Sequence, residues 1–441
     1  MTIKVPVTIL GCQYETTGYG EEIRAIVLNL ATNDQIDVRT IDLPVNFDRL
    51  KFTIPNPKGS LLAYRFPDGV KYYDTTLSDD VCAKLTHLLI HPTCGFPDHE
   101  FYQNQIYEPH GMLMVHCSPV ADGNSRFRNY TSILRKYPFY IGRTTFEAAG
   151  LVSEWVNNCN IMDEIHVQST FNKREFEKAG VKPPIYVFPC GVNSQIFKPR
   201  PKESVSGDHI LKYFKAEKFN FLSIFESHFQ NYFRKGLDIL LQGYFLAFNS
   251  LDLVNLVIKT NLKQEELDII AHRANEVIGR PVDNLPQVTL VREYYTIQDL
   301  ALLYNVADAY VLPSRGEGLG IPFLEALCSA IPTIGTRWSG NMDFMNDDNS
   351  ILIELNGMFK CHKGNFPSQQ EYWGLELANP SFEDLAAKMR RTIDDYPHFK
   401  RIAIGRRDQI AKEWDSRNKV KLIADRILKI AKDQGISGDL Q

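Results

Sequence analysis

The sequence predicts an α/β protein of two domains, each a parallel sheet dressed with helices, the two sheets facing across a cleft. Three observations predict it. The chain has 441 residues, a length that suggests about two to three domains. Short apolar runs alternate with helical patterns from end to end, the sign of βα units. A polar stretch with two prolines and no periodicity, "NSQIFKPRPKESVSGDH" (193–209), interrupts that rhythm and reads as a linker. The domains are expected at 1–195 and 196–405, with 406–441 as a C-terminal helix packed on the body.

In the first domain "VTIL" (7–10) reads as a strand, and "TTGYGEE" follows as a turn. Ile23, Ile26, Val27 and Leu30 then fall at i, i+3, i+4 and i+7, one face of a helix. "IDVRTIDL" (36–43) alternates like a second strand, and "MLMVH" (112–116), "PFYIG" (138–142), "EIHVQS" (164–169) and "PIYVFP" (184–189) continue the series. A helix is expected over 170–180.

After the linker come "NFLSIF" (220–225), "NLVIKT" (255–260), "QVTLVR" (287–292), "AYVLPS" (309–314), "PTIGT" (332–336) and "SILIE" (350–354). Helices at 236–248, 263–275, 297–306 and 322–330 fit between them. The segment 415–433 is a helix with Asp415 or Ser416 as cap and Val420, Ile423, Ile427 and Ile430 along one face. Its lysines also suit a membrane surface, but an amphipathic helix packed on the body with its charges solvated is the simpler reading.

Composition excludes several functions. Hydrophobic residues make up 44% and charged residues 23%, enough apolar content for large cores. A net charge of −4 gives no basic imbalance, so nucleic acid is not an expected partner. The N-terminus lacks a long apolar core and a small-residue cleavage site, so no signal peptide is expected. No run approaches the ~18 apolar residues of a membrane span. The eight cysteines are scattered without a C-x-x-C pair, and Cys12, Cys117 and Cys190 sit in apolar runs. That usage fits reduced thiols in a cytoplasm, with the cytosolic face of a membrane left open.

The stretch "SRGEGLGIPFLEAL" (314–327) carries the most chemistry. It leaves the carboxyl end of a strand, where open α/β sheets bind ligands. Pro322 suits the first turn of a helix, so Gly318, Leu319, Gly320 and Ile321 would aim backbone N–H groups at a ligand, and the helix dipole favours an anion there. In one unbroken helix Glu317 and Glu325 would sit ~12 Å apart along the axis; a loop folding back lets both face one ligand. Carboxylates only accept hydrogen bonds, so they suit sugar or ribose hydroxyls and repel phosphates. Donors for a diphosphate stand upstream in "YFRKGLDILL", where Arg234 and Lys235 precede a helix. A dinucleotide fingerprint fails in every frame, since Ile321, Phe323 or Ile23 stands where its third small residue would be.

His87, His91, Cys94 and His99 imitate metal-ligand spacing, but the pattern matches none of the usual zinc motifs, and a strand entering a Pro/Gly loop explains it. His116 alone would be a core or turn residue.

Taken together, "PSRGEGLGIPFLEAL" followed by "TRWSGNMDFM" resembles the donor-site signature of the group 1 (family 4) glycosyltransferases of GT-B fold. "RKGLDILLQGY", "DEIHVQSTFNKREFEKAGV" and "VFPCGVNSQIF" are similar to three further blocks of that family, over about 137–355 and more loosely through "TGYGEEIR". The resemblance implies two Rossmann-like domains and a retaining transferase that moves a hexosyl unit from a nucleotide-diphosphate sugar to a hydroxyl of a glycan, lipid or small molecule. It implies that Glu317 contacts the donor sugar, Glu325 the ribose, and Arg234 and Lys235 the diphosphate. The glycine loop with Gly18 and Gly20 would approach the same phosphates, His116 would lie near the reacting sugar, and Glu147 and Trp155 would shape the cleft. Base contacts are expected around Arg292–Tyr295 and Lys259. No Asp-x-Asp motif is present, so neither a metal nor another cofactor is expected. Two departures stand out: "FESHF", with Glu226, replaces a Gly-Arg common in the family, and Asn193 replaces an acid. The competing reading is a catalytically silent GT-B subunit that scaffolds an active partner.

Overall fold

The computed structural model describes residues 4–11, 18–42, 111–121, 124–125, 137–226, 232–293, 295–367 and 369–437. The His87, His91, Cys94 and His99 group lies outside them. The chain divides into two units. Unit 1 comprises Met1–Thr145, Leu151–Gly191 and Ser416–Gln441; unit 2 comprises Phe146–Gly150 and Val192–Asp415.

Unit 1 holds a six-stranded parallel sheet. Its strands are β1 (Val5–Gly11), β2 (Ile36–Asp42), β3 (Met112–His116), β6 (Tyr140–Arg143), β7 (Glu164–Val167) and β8 (Ile185–Val187), in the order β2-β1-β3-β6-β7-β8. A two-residue antiparallel pair, β4 (Val120–Ala121) and β5 (Asn124–Ser125), stands apart. The helices are α1 (Gly18–Leu30), α2 (Ser153–Cys159) and α3 (Thr170–Ala179). Gly18 and Gly20, expected in a turn, form the first turn of α1: the 3.6-residue pattern of Ile23, Ile26, Val27 and Leu30 propagates one turn further toward the N-terminus. Ser169 caps α3 by accepting from the Asn172 N–H, and Gly180 ends it in the left-handed region.

The last helix, α11 (Ser416–Gln434), belongs to unit 1. Its Val420, Ile423, Ile427 and Ile430 share one core with Ile23, Ile26 and Val27 of α1 and Val7 and Ile9 of β1. The apolar stripe that would have suited a membrane is therefore covered by protein. Among the described residues no helix is long and apolar enough to cross a membrane.

Unit 2 repeats the architecture. Its parallel sheet contains β9 (Phe219–Ile224), β10 (Val254–Lys259), β11 (Gln287–Val291), β12 (Ala309–Leu312), β13 (Thr333–Thr336) and β14 (Ile351–Ile353), in the order β11-β10-β9-β12-β13-β14. The chain winds outward from β9 in one direction, then returns to β12 and winds the other way, so the switch point lies between β9 and β12. The helices are α4 (Asp208–Leu211), α5 (Leu237–Ala247), α6 (Gln264–Ile278), α7 (Ile297–Val306), α8 (Ile321–Cys328), α9 (Phe382–Asp394) and α10 (Tyr396–Glu413). An antiparallel pair, β15 (Leu355–Lys360) with β16 (Glu376–Pro380), had no sequence signal: β15 is mostly exposed and β16 buries only a short run.

The stretch read as linker is tied to unit 2. Ser194 Oγ donates to Asp415 at 2.5 Å, Phe197 is buried edge-on to Tyr304, and the Arg200 N–H donates to Asn305. Composition alone placed the division at 195 and 405; the structure draws it at 191 and 415, and moves Phe146–Gly150 into unit 2.

Candidate active site

Two loops leave the adjacent strands β9 and β12 at the switch point of unit 2, and they interlock. The Arg315 N–H donates to the Arg234 carbonyl at 2.7 Å. Gly236 has φ of 71°, and a Cβ there would stand 1.9 Å from the Pro313 carbonyl oxygen, so only glycine lets the loops approach. The Arg315 guanidinium forks onto both oxygens of Asp238 at 2.7 Å and lies 3.8 Å from the centre of the Phe233 ring. Arg315 is thus a brace between the two motifs.

On this frame the predicted cations and carboxylates meet. Lys235 Nζ donates to both oxygens of Glu317, at 2.7 and 2.9 Å. Burial pushes the Lys235 pKa below its ordinary value, against the opposing pull of Glu317. Arg234 Nη1 donates to the Gly316 carbonyl at 2.9 Å and stands 3.2 Å from Glu147 Oε1. The Glu317 N–H donates to Ser339 Oγ and its carbonyl accepts from the Gly340 N–H, both at 2.9 Å. A Cβ on Gly340 would meet the Gly318 carbonyl at 2.1 Å, which explains the glycine in "TRWSGNMDFM".

Gly320 caps α8 in the left-handed region (φ 92°), and Pro322 occupies its first turn. Among the described residues, none accepts from the N–H groups of Gly318, Leu319, Gly320 or Ile321. Glu325, one turn on, is buried, and its Oε2 accepts from the Tyr304 hydroxyl of α7 at 2.6 Å. Burial first, then the carboxylate, drives the Tyr304 pKa well above normal, so the phenol stays a donor. Tyr310, inside β12, has its pKa raised by burial and then by both Glu317 and Glu325. Both carboxylates thus act electrostatically on one phenol.

Glu147 reaches this site from a five-residue segment far upstream in sequence. Its Oε2 accepts from the Tyr372 hydroxyl at 2.5 Å, and the adjacent Phe146 ring packs on Tyr372 with centroids 4.8 Å apart. Tyr304 and Tyr372 carried no sequence signal, because each acts through a contact with a distant residue, and Ser339 was marked only as part of "TRWSGNMDFM". Where the family's Gly-Arg would stand, Glu226 accepts from Lys259 Nζ at 3.0 Å. The segment expected to touch the base borders a hollow of about 480 Å³ lined by Tyr213, Gln264, Leu290, Arg292 and Glu293.

Gly18, Gly20 and His116 lie in unit 1, with an arrangement of their own. His116, Arg143 and His166 are register neighbours across β3, β6 and β7, all with 0% exposure. His116 Nε2 lies 3.1 Å and Arg143 Nε 2.6 Å from Glu22 Oε1 of α1. Burial raises the Glu22 pKa, but Arg143 and His116 outweigh it and bring it down to about 2. At the far end His166 and Arg426 both pair with Glu164. His116 thus ties the start of α1, which carries Gly18 and Gly20, to the end of β3. Trp155 is buried in α2.

Residues 227–358 match the family model described as glycosyl transferases group 1. The structure is similar to a sucrose-phosphate synthase from Thermosynechococcus elongatus, at 13% identity over 98% of this chain and 100% of that one, with a TM-score of 0.64. It is similar to HepE from Anabaena in complex with UDP and glucose, at 14% identity over 97% and 100%, with a TM-score of 0.59. It is also similar to WaaG, a glycosyltransferase involved in lipopolysaccharide biosynthesis, at 13% identity over 96% and 99%, with a TM-score of 0.52. The shared fold is GT-B: two six-stranded parallel sheets with their helices. No curated protein matches the sequence.

Proposed function

We propose that this chain, whose second unit carries a glycosyl transferase group 1 domain, is a retaining family 4 glycosyltransferase. It would transfer a hexosyl unit from a nucleotide-diphosphate sugar to a hydroxyl of a glycan, lipid or small molecule. The observation that carries this reading is the gathering of Arg234, Lys235, Glu317 and Glu325 at the switch point of one parallel sheet. That set offers cations for a diphosphate and hydrogen-bond acceptors for a sugar and a ribose.

Arg234 and Lys235 bind the diphosphate as fork and point charge, respectively. The N–H groups of Gly318–Ile321, at the start of α8, add donors where the helix dipole is positive. As the nucleoside diphosphate leaves, negative charge grows on its oxygens, and these fixed donors oppose it without reorganising. Glu317 accepts from the sugar hydroxyls; Glu325, held by Tyr304, accepts from the ribose. No step is assigned to a metal. His116 acts in unit 1 through Glu22, setting the position of α1 and its glycines.

A thermal-shift screen against UDP-, GDP- and ADP-sugars tests the proposal. One of the three raises the melting temperature, because a ligand bound only to the native state adds ~2.7 kcal/mol of stability at a hundredfold excess over Kd. No shift with any of them, together with no donor consumption, overturns the reading.

A further inference from the structure

Both cations assigned to the diphosphate already carry a carboxylate. Lys235 Nζ holds both oxygens of Glu317, and Arg234 Nη1 stands beside Glu147. The four groups sum to zero charge, so an arriving diphosphate meets no uncompensated cation unless a carboxylate gives way. The two carboxylates differ in how firmly they are held. Glu147 is also fixed by the Tyr372 hydroxyl. The Glu317 backbone is pinned by Ser339 and Gly340, while its carboxylate is held by Lys235. Rotating the Glu317 side chain therefore breaks one ion pair and leaves the loop in place. The side chains of Lys235 and Glu317 are 13% and 6% exposed, enough to be reached by a ligand and dry enough for the pair to matter.

We propose that Glu317 is a built-in counter-ion of Lys235: the donor's diphosphate displaces it from the ammonium, and the freed carboxylate turns to the transferred sugar. Donor binding and positioning of the sugar-facing carboxylate are then one event. This inference rests on the donor-site reading above and adds a sign that the reading alone does not give. A residue that only contacts the sugar is neutral toward a nucleotide lacking the sugar. A counter-ion competes with it.

Calorimetric titration of UDP, GDP and ADP into the full-length wild type, Glu317→Gln, Lys235→Met and the double variant tests this. The nucleotide that the wild type binds is held about three- to tenfold tighter by Glu317→Gln, while sugar transfer is lost. In the Lys235→Met background the same Glu317→Gln change brings no gain, because the pair is already broken. Unchanged or weaker nucleotide binding by Glu317→Gln overturns the inference and leaves the donor-site reading standing. A gain that persists without Lys235 also overturns it, since it would reflect general charge removal. If the wild type binds none of the three nucleotides, the donor-site reading falls and the inference with it. Should Glu317→Gln fail to fold, Glu317→Ala, which also removes the carboxylate facing Lys235, carries the same test in both the wild-type and Lys235→Met backgrounds.

Discussion

Each unit places a cluster of ion pairs at the carboxyl ends of its parallel strands, and the two clusters are built differently. In unit 1 the side chains of His116 and Arg143 are 0% and that of Glu22 3% exposed. In unit 2 Arg234 and Glu147 are 8% and 15% exposed, and Lys235 and Glu317 13% and 6%. The charges of unit 1 are sealed and spent on one another: Arg143 also donates to the Phe188 carbonyl, and Glu22 draws on Gln168 as well. Those of unit 2 keep a small exposed fraction and lie beside backbone N–H groups that no described residue uses. The contrast teaches that an ion pair sealed at a strand end serves the fold, whereas one that keeps some exposure is, on the proposed function, the one a ligand exchanges.

The sharpest way to break this comparison is to remove Glu22. Glu22→Ala leaves the Arg143 guanidinium buried without its carboxylate, and unfolding free energy is expected to fall by about 3–5 kcal/mol in chemical denaturation. The acid limb follows from the same group. Its folded pKa of about 2 lies below the ordinary 4.5, so its contribution is complete above pH ~4.5 and disappears as pH falls toward ~2, a loss of roughly 3 kcal/mol. Denaturation midpoints recorded across that window should be flatter for Glu22→Ala than for the wild type. A loss below 1 kcal/mol would place Glu22 with the exchangeable pairs.

Next in size is Lys235→Ala. Donor affinity is expected to drop at least tenfold, about 1.5–3 kcal/mol for a charged hydrogen bond, read by thermal shift or direct titration. The folded state should lose less than it does in Glu22→Ala, because the pair it breaks is less completely sealed from water, Lys235 keeping 13% of its side-chain surface exposed. Equal stability losses in the two variants would erase the distinction between the clusters.

The smallest effect belongs to Tyr304→Phe, which removes the hydroxyl held by Glu325 and nothing else. About 1 kcal/mol of donor binding goes with it, seen as a raised KM with kcat nearly kept. If donor KM does not move, Tyr304 supports the packing of α7 and has no part in aiming Glu325.

Much of the fold was legible because its period is local. The strand at 112–116 and the helix at 297–306 match the structure to the residue, and the other strand and helix readings lie within a few residues. Strands buried on both faces appear as short apolar runs, and helices repeat every 3.6 residues. Between 355 and 405 no strand or helix was expected, because β15 is mostly exposed and the buried stripe of α9 is short. The domain boundaries were less legible still. Phe146–Gly150 looks like part of the first domain, yet it pairs with unit 2 through the Ala149–Glu376 bridge and Glu147. Nothing in five residues signals a partner more than two hundred positions away.

The site divides the same way. By itself the sequence singled out the residues proposed to carry the chemistry: a basic pair before one helix, and two carboxylates around a glycine turn before another. Glycine freedom, proline at a helix start and the charge of each side chain are properties of the local chain. Only the tertiary structure decided the pairing, which sets Lys235 against Glu317, Glu147 against Arg234, Tyr304 against Glu325, and closes His116 into a buried row with Glu22 and Arg143. A charge's function depends on its counter-ion and its exposure to water, and both are fixed by segments that meet only when the sheets form.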